Sequence, residues 1–123
     1  DKSKILLINR ADYPYVNKLA FPGGFYLQTD DTVEEAATRE LVEETSVDIK
    51  ITEDNLLKIT SGKGRDPRGW IISAAYMVIV DEKCIKPRAN SDALYANWVN
   101  VDSIEKDDMA FDHFGILQYA LNL

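Results

Sequence analysis

The chain has 123 residues, 46% hydrophobic and 28% charged, which makes one domain with a sizeable core and excludes disordered, collagenous and disulfide-stapled classes. Its 14 basic and 21 acidic residues leave a net charge of −7. That field repels phosphate, so non-specific contact with nucleic acid or an anionic membrane is excluded, and a phosphorylated substrate needs a local reversal of charge.

The chain opens at Asp1, without a methionine or a signal-peptide pattern, and runs at once into an apolar strand. This predicts a fragment, or a chain lacking its native N-terminus. Lys4–Arg10 reads as a buried strand, and residues 11–18 as a loop with Tyr13, Pro14 and Tyr15. Residues 19–25 end in Pro22-Gly23-Gly24, a break that either terminates a strand or lets backbone approach a ligand. Residues 32–45 form the best predicted helix, capped by Asp31 with Glu34 or by Thr32 with Glu35.

Residues 48–58 read as extended, interrupted at Glu53-Asp54-Asn55. A glycine- and arginine-rich loop follows over residues 61–69. The near-continuous apolar run 70–80 predicts a central strand buried on both faces. Its core, residues 71–80, is about half the length that a membrane span needs. Cys84, the single cysteine, excludes an internal disulfide and a multi-cysteine zinc site, fits a reducing cytoplasmic setting, and reads as a small hydrophobe near a strand end. Residues 86–92 read as a polar loop and 94–101 as a strand alternating around Trp98. A second helix is predicted over 108–121, with Phe111, Phe114, Leu117 and Leu121 as its core stripe. The sum is an α/β domain, a sheet with helices on its faces.

The first helix carries the chemical signal. At about 100° per residue, Val33, Ala36, Ala37, Leu41 and Val47 share one sector, and Glu40, Glu43 and Glu44 fall in the same sector. Thr38 and Thr45 fall on the opposite side. Carboxylates at i, i+3 and i+4 repel one another, and burial without a partner raises that cost. A compensating hard cation, Mg²⁺ or Mn²⁺, resolves it, with Arg39 pinning one carboxylate from the flank. The plainer reading is a solvated charged face with an ordinary salt bridge.

Residues 24–47, GFYLQTDDTVEEAATRELVEETSV, resemble the signature of the Nudix hydrolase superfamily. Arg39-Glu40-Leu41-Val42-Glu43-Glu44-Thr45 matches its second half throughout. There are two departures. One extra residue separates Gly24 from Arg39, so the upstream glutamate is Asp31 counted back from Arg39 or Asp30 counted forward from Gly24. Ser46 replaces a glycine. Gly64-Arg65-Asp66-Pro67-Arg68-Gly69-Trp70 and Ala110-Phe111-Asp112-His113 further resemble a Nudix branch centred on ADP-ribose. That branch holds ADP-ribose pyrophosphatases, the Nudix halves of bifunctional nicotinamide-nucleotide adenylyltransferases, and regulators of NAD metabolism.

The resemblance implies a single Nudix domain over residues 1–123, an α/β/α sandwich with a mixed sheet that lacks its usual first strand. It implies hydrolysis of a nucleoside diphosphate linked to another group, ADP-ribose to AMP and ribose 5-phosphate, or else a sensing domain for such nucleotides. It implies metal ligation by Glu40, Glu43, Glu44 and the Gly23 carbonyl. Arg39 would orient the glutamates, and Glu40 or a residue of a later loop would take the proton from water. Arg65 and Arg68 suit phosphate or ribose hydroxyls, or else pair internally with Asp66 or Asp112. Gly24 belongs to the substrate-binding turn. Trp70, Tyr13 and Phe21 are candidates to stack on adenine or to pack, and His113 is structural or a site residue. The expected partners are a small-molecule nucleotide and a second copy of the chain in a homodimer, with no nucleic acid and no membrane.

Overall fold

The run Lys4–Arg10 forms β1, the middle strand of a three-stranded sheet, in a computed structural model that describes residues 3–123. Its neighbours are β2, Leu19–Ala20, and β5, Ala93–Asn100, both antiparallel to it. Ile8 stands opposite Ala20 on one side and Ala96 on the other. The register shifts between Asn9 and Arg10, so Arg10 faces Ala93.

Side-chain alternation along β1 splits the interior into two cores. Leu7, 1% exposed, joins Ile104, Met109 and Leu117, with Ile5, Val99, Phe114 and Leu121 packed around them. Ile8, 2% exposed, joins Ala20, Ala93, Ala96 and Ala110, with Phe111 lying against them. Helix α2, His113–Leu121, covers the Leu7 core with Phe114, Leu117 and Leu121 of the predicted stripe, while Phe111, its fourth member, precedes the helix and lies on the Ile8 core. Helix α1, Val33–Thr45, docks by its C-terminal end: the Thr45 and Glu44 carbonyls accept from the amides of Arg88 (2.8 Å) and Asn90 (3.1 Å), just before β5. A separate hairpin pairs β3, Leu56–Thr60, with β4, Ser73–Tyr76. The Tyr76 hydroxyl donates to Glu34 and so ties this hairpin to α1. Strand pairing is antiparallel throughout, apart from one parallel bridge between Leu19 and Met109. Among the described residues no helix is long and apolar enough to cross a membrane.

Several expectations are corrected. Residues 70–80 are not a central strand: only Ser73–Tyr76 is paired, and only with β3, while Trp70 is 83% and Ile72 72% exposed. An apolar run specifies burial but not a partner, and the place beside β1 is taken by β5. The second helix starts at His113 rather than 108, because Phe111 adopts a left-handed φ of 54° and residues Lys106–Asp108 close a 3-10 turn of their own. Cys84 is exposed at the end of the polar 3-10 turn Glu82–Cys84, where Asp81 caps the Lys83 amide.

These placements have a direct energetic consequence. Leu7→Ala is expected to cost about 3 kcal/mol of unfolding free energy, as large-to-small changes at closed core sites do. Trp70→Ala is expected to change it by less than about 0.5 kcal/mol, as surface changes do. Urea unfolding of the two variants checks both values; a large loss at Trp70 would restore the buried-strand expectation.

Candidate active site

The site is organised by the two ends of α1. At the start, the Thr32 hydroxyl accepts from the Glu35 amide (3.1 Å), and the Glu35 carboxylate accepts from the Asp31 amide (2.8 Å), so the Thr32–Glu35 register is the cap. At the end, Ser46 takes the left-handed conformation (φ 63°), its N–H donates to Val42 O (2.9 Å), and its hydroxyl donates to Arg88 O (3.1 Å). Serine therefore supplies the termination that the signature assigns to glycine.

Arg39 is the centre of a knot. Its Nε and Nη2 donate to the two carboxylate oxygens of Asp30 (3.0 and 2.9 Å). Nη2 also donates to the Phe25 carbonyl (3.0 Å), and Nη1 donates to Glu40 (2.6 Å) and Glu43 (3.2 Å). Asp30 is 7% exposed, accepts from the Leu27 amide as well, and is held below the usual carboxylate range chiefly by Arg39. Asp31 is exposed and does not reach Arg39. The forward count from Gly24 thus finds the residue facing Arg39, and the extra residue is absorbed in the turn between Asp30 and the helix.

The glycine pair is read by contact. A Cβ on Gly24 would stand 2.4 Å from Glu40 Cδ, so only glycine lets this carboxylate lie against the loop. The Gly23 N–H donates to Glu44 Oε1 (2.7 Å). Glu44 is buried, and desolvation pushes its pKa up to about 7; the Gly23 hydrogen bond opposes this and the Glu40 charge adds to it.

The inward sector is therefore partly as expected. Glu44 is buried and Glu40 nearly so, whereas the Glu43 side chain is 46% exposed and meets Arg39 at the rim. Val33 is exposed and Thr45 fully buried, the reverse of the expectation, because the C-terminal turn of α1 is locked onto the residues before β5 while its first turn meets the hairpin through Glu34 and leaves Val33 outside. Among the described residues, no three Asp, Glu, His or Cys side chains stand together as a finished metal cage. The donor chemistry still fits a hard divalent cation: all-oxygen groups, with a buried carboxylate repelled by its neighbour.

The arginine-rich loop resolves into two internal pairs. Arg65 grips both oxygens of Asp112 (2.8 and 2.7 Å) and adds the Ile71 carbonyl and the Ser73 hydroxyl. Arg68 grips both oxygens of Asp66 (3.1 and 2.8 Å) and stacks over Phe25 and Phe111 (4.9 and 5.2 Å to the centroids). Trp70 is exposed with the Lys63 ammonium 5.9 Å from its ring, Tyr13 is exposed, and Phe21 stacks on His113 at 4.5 Å. Arg10 was not singled out by sequence, yet it lies over Phe111 at 5.0 Å. The available signal was a charged residue two positions beyond inward-facing Ile8 on the same strand.

His113 Nδ1 accepts from the Phe21 amide (3.2 Å), and burial pushes the ring's pKa down to about 4. Between pH 6.5 and 4 the unfolded chain binds a proton that the folded chain refuses, so His113 lowers stability as pH falls through this window. The expected loss is about 2 kcal/mol by pH 5. Glu44 acts in the opposite sense, since its raised pKa favours the folded state as pH falls. His113→Asn keeps an acceptor for Phe21, so comparing its urea unfolding with that of the parent at pH 7 and pH 5 isolates the histidine. Equal pH dependence in both proteins would refute the assignment.

Known proteins are similar to this chain over most of its length. An ADPR responsive transcriptional repressor of Acinetobacter baylyi, NtrR, is 36% identical over 118 residues, which cover 95% of this chain and 46% of that protein. An ADP-ribose pyrophosphatase of Methanocaldococcus jannaschii is 39% identical over 116 residues, covering 94% of this chain and 64% of that one. The chain thus spans about half to two-thirds of these relatives' lengths. The solved NUDIX domain of Shewanella oneidensis NrtR, complexed with ADP ribose, superposes with a TM-score of 0.87 at 25% identity, covering 97% of this chain and 76% of that one. The NUDIX domain profile matches residues 1–120, and with the Arg39 knot and the glycine-seated glutamates this establishes that the chain belongs to the NUDIX domain family.

Proposed function

We propose that this domain hydrolyses ADP-ribose to AMP and ribose 5-phosphate with Mg²⁺ or Mn²⁺. The observation that carries the reading is the set of Glu40, Glu43 and Glu44 gathered around Arg39 and the Gly23-Gly24 turn. The kinship with an ADP-ribose pyrophosphatase supports the substrate. Glu40, Glu43, Glu44 and the Gly23 carbonyl would hold the cation. When bound, it offsets the charge of the diphosphate and lowers the pKa of a coordinated water.

The chain's own groups have distinct tasks in this reading. Arg39 holds Glu40 by Oε1, which leaves Oε2 without a hydrogen-bond partner among the described residues and free to accept a proton from the attacking water. Water adds across one P–O bond of the diphosphate; its hydroxyl stays on one phosphorus and its proton leaves with the cleaved phosphate oxygen. Asp30 and Phe25 O keep the Arg39 fork in one orientation. Gly24 keeps the turn close enough for Glu40 to reach the substrate side.

A second reading has its own support. The repressor relative responds to ADP-ribose, so a domain that binds this nucleotide with little turnover is the alternative. AMP release from ADP-ribose in the presence of Mg²⁺ separates the two. Glu43→Gln and Glu44→Gln are expected to lower turnover by about 100-fold or more while the protein stays folded. Tight binding without AMP release would establish the sensor. Faster hydrolysis of dATP or dGTP than of ADP-ribose would overturn the substrate assignment.

A further inference from the structure

The diphosphate of the proposed substrate carries negative charge toward a protein of net charge −7 and a turn lined by Glu40 and Glu44. The loop arginine Arg65 is 8% exposed in its side chain and has each of its three nitrogens committed to Asp112, Ile71 or Ser73. Positive charge with free donors is found elsewhere. Arg10 and Arg68 both lie over the ring of Phe111, at 5.0 and 5.2 Å.

We propose that Arg10, paired with Arg68 on the shared ring of Phe111, is a binding and positioning residue for the substrate diphosphate. The inference rests on the diphosphate-hydrolase reading above and names a group that the glycine turn and the signature helix do not supply.

Arg10 reaches this place because the register shift after Asn9 turns it against Ala93, above the Ile8 core on which Phe111 lies. Its Nε is fixed by the Pro14 carbonyl (2.6 Å). Both terminal nitrogens have no hydrogen-bond partner among the described residues. Arg68 spends Nε and Nη2 on Asp66 and keeps Nη1 free. Phe25 and Phe111 lie against its guanidinium, so its remaining polar direction is the in-plane edge.

Two like charges on one ring carry a cost. Burial and the Arg68 charge both depress the Arg10 pKa, while Glu44, Asp12 and Asp66 act against that. Phe111 holds the pair from a left-handed backbone, an uncommon conformation for a bulky residue. An anion seated between the two forks would satisfy their free N–H groups and relieve the repulsion. Phe25 links this seat to the carboxylates: its carbonyl accepts from Arg39 and its ring carries Arg68. Phe25 is therefore shared by the basic pair, through Arg68, and by the arginine that holds Glu40 and Glu43.

Calorimetric titration with inorganic pyrophosphate in Mg²⁺ buffer, and with ADP-ribose in the absence of divalent cation so that it is bound and not cleaved, tests this. The parent is expected to bind both. Arg10→Met keeps an unbranched stem but removes the guanidinium that lies over Phe111, and is expected to weaken both ligands by about tenfold or more. Its melting temperature and its Mn²⁺ affinity without nucleotide should stay at the parent values. Arg10→Lys keeps the charge but loses the fork, and is expected to weaken pyrophosphate by roughly threefold; it carries the test if the Met variant does not fold. Parent-like pyrophosphate affinity in the folded variants, or no pyrophosphate binding by the parent, overturns the assignment. Pyrophosphate binding that depends on Arg10, in a parent that neither binds nor cleaves ADP-ribose, would uphold the anion seat and sink the substrate reading.

Discussion

The site depends on one guanidinium. Arg39 ties Asp30 in the entering loop, the Phe25 carbonyl in the glycine turn, and Glu40 and Glu43 on its own helix into a single hydrogen-bonded unit. A planar fork with five donors can hold such partners in fixed directions, which a lysine cannot do. Because Arg39 and Asp30 are both largely shielded from water, the pair is screened less than a surface ion pair and orders the segment between them. The helix is thereby indexed to the loop, and Glu40 arrives so close to Gly24 that a Cβ there would displace its carboxylate.

The molecule separates its charges around that unit. Acidic groups gather on the signature helix, where burial of Glu44 is tolerated through the Gly23 amide. Basic groups gather on Phe111, where aromatic faces take the place of water. Phe25 touches both territories. Beneath them lies the Ile8 core of small alanines, and the register shift in the β1–β5 pairing places Arg10 at the strand end. The Leu7 core on the other face is larger in side chains and anchors α2, whose first residue, His113, stacks on Phe21 beside the glycine turn.

Legibility followed locality. The bounds of β1, the span of α1 with its cap narrowed to two registers, and three of the four stripe residues on α2 were readable because each depends on neighbours within a few residues. The helical wheel brought Glu40 and Glu44 inward correctly but also predicted Val33 inward and Thr45 outward. A wheel assumes that one face docks evenly along the helix, whereas α1 is most deeply buried at its C-terminal turn. The run 70–80 failed for a related reason: hydrophobicity names a wish for burial, and competition among strands decides which run is granted it.

What the sequence determined by itself was the chemistry available: an arginine and three glutamates at helical spacing, a glycine pair before them, and an α/β order of elements. What only the tertiary structure decided was partnership. It selected Asp30 over Asp31 as the mate of Arg39, gave Arg65 to Asp112 across 47 residues, and brought Arg10 and Arg68 to one phenyl ring. Each of those choices joins segments distant along the chain, and spacing within one segment carries no information about which distant group will fill a given direction in space.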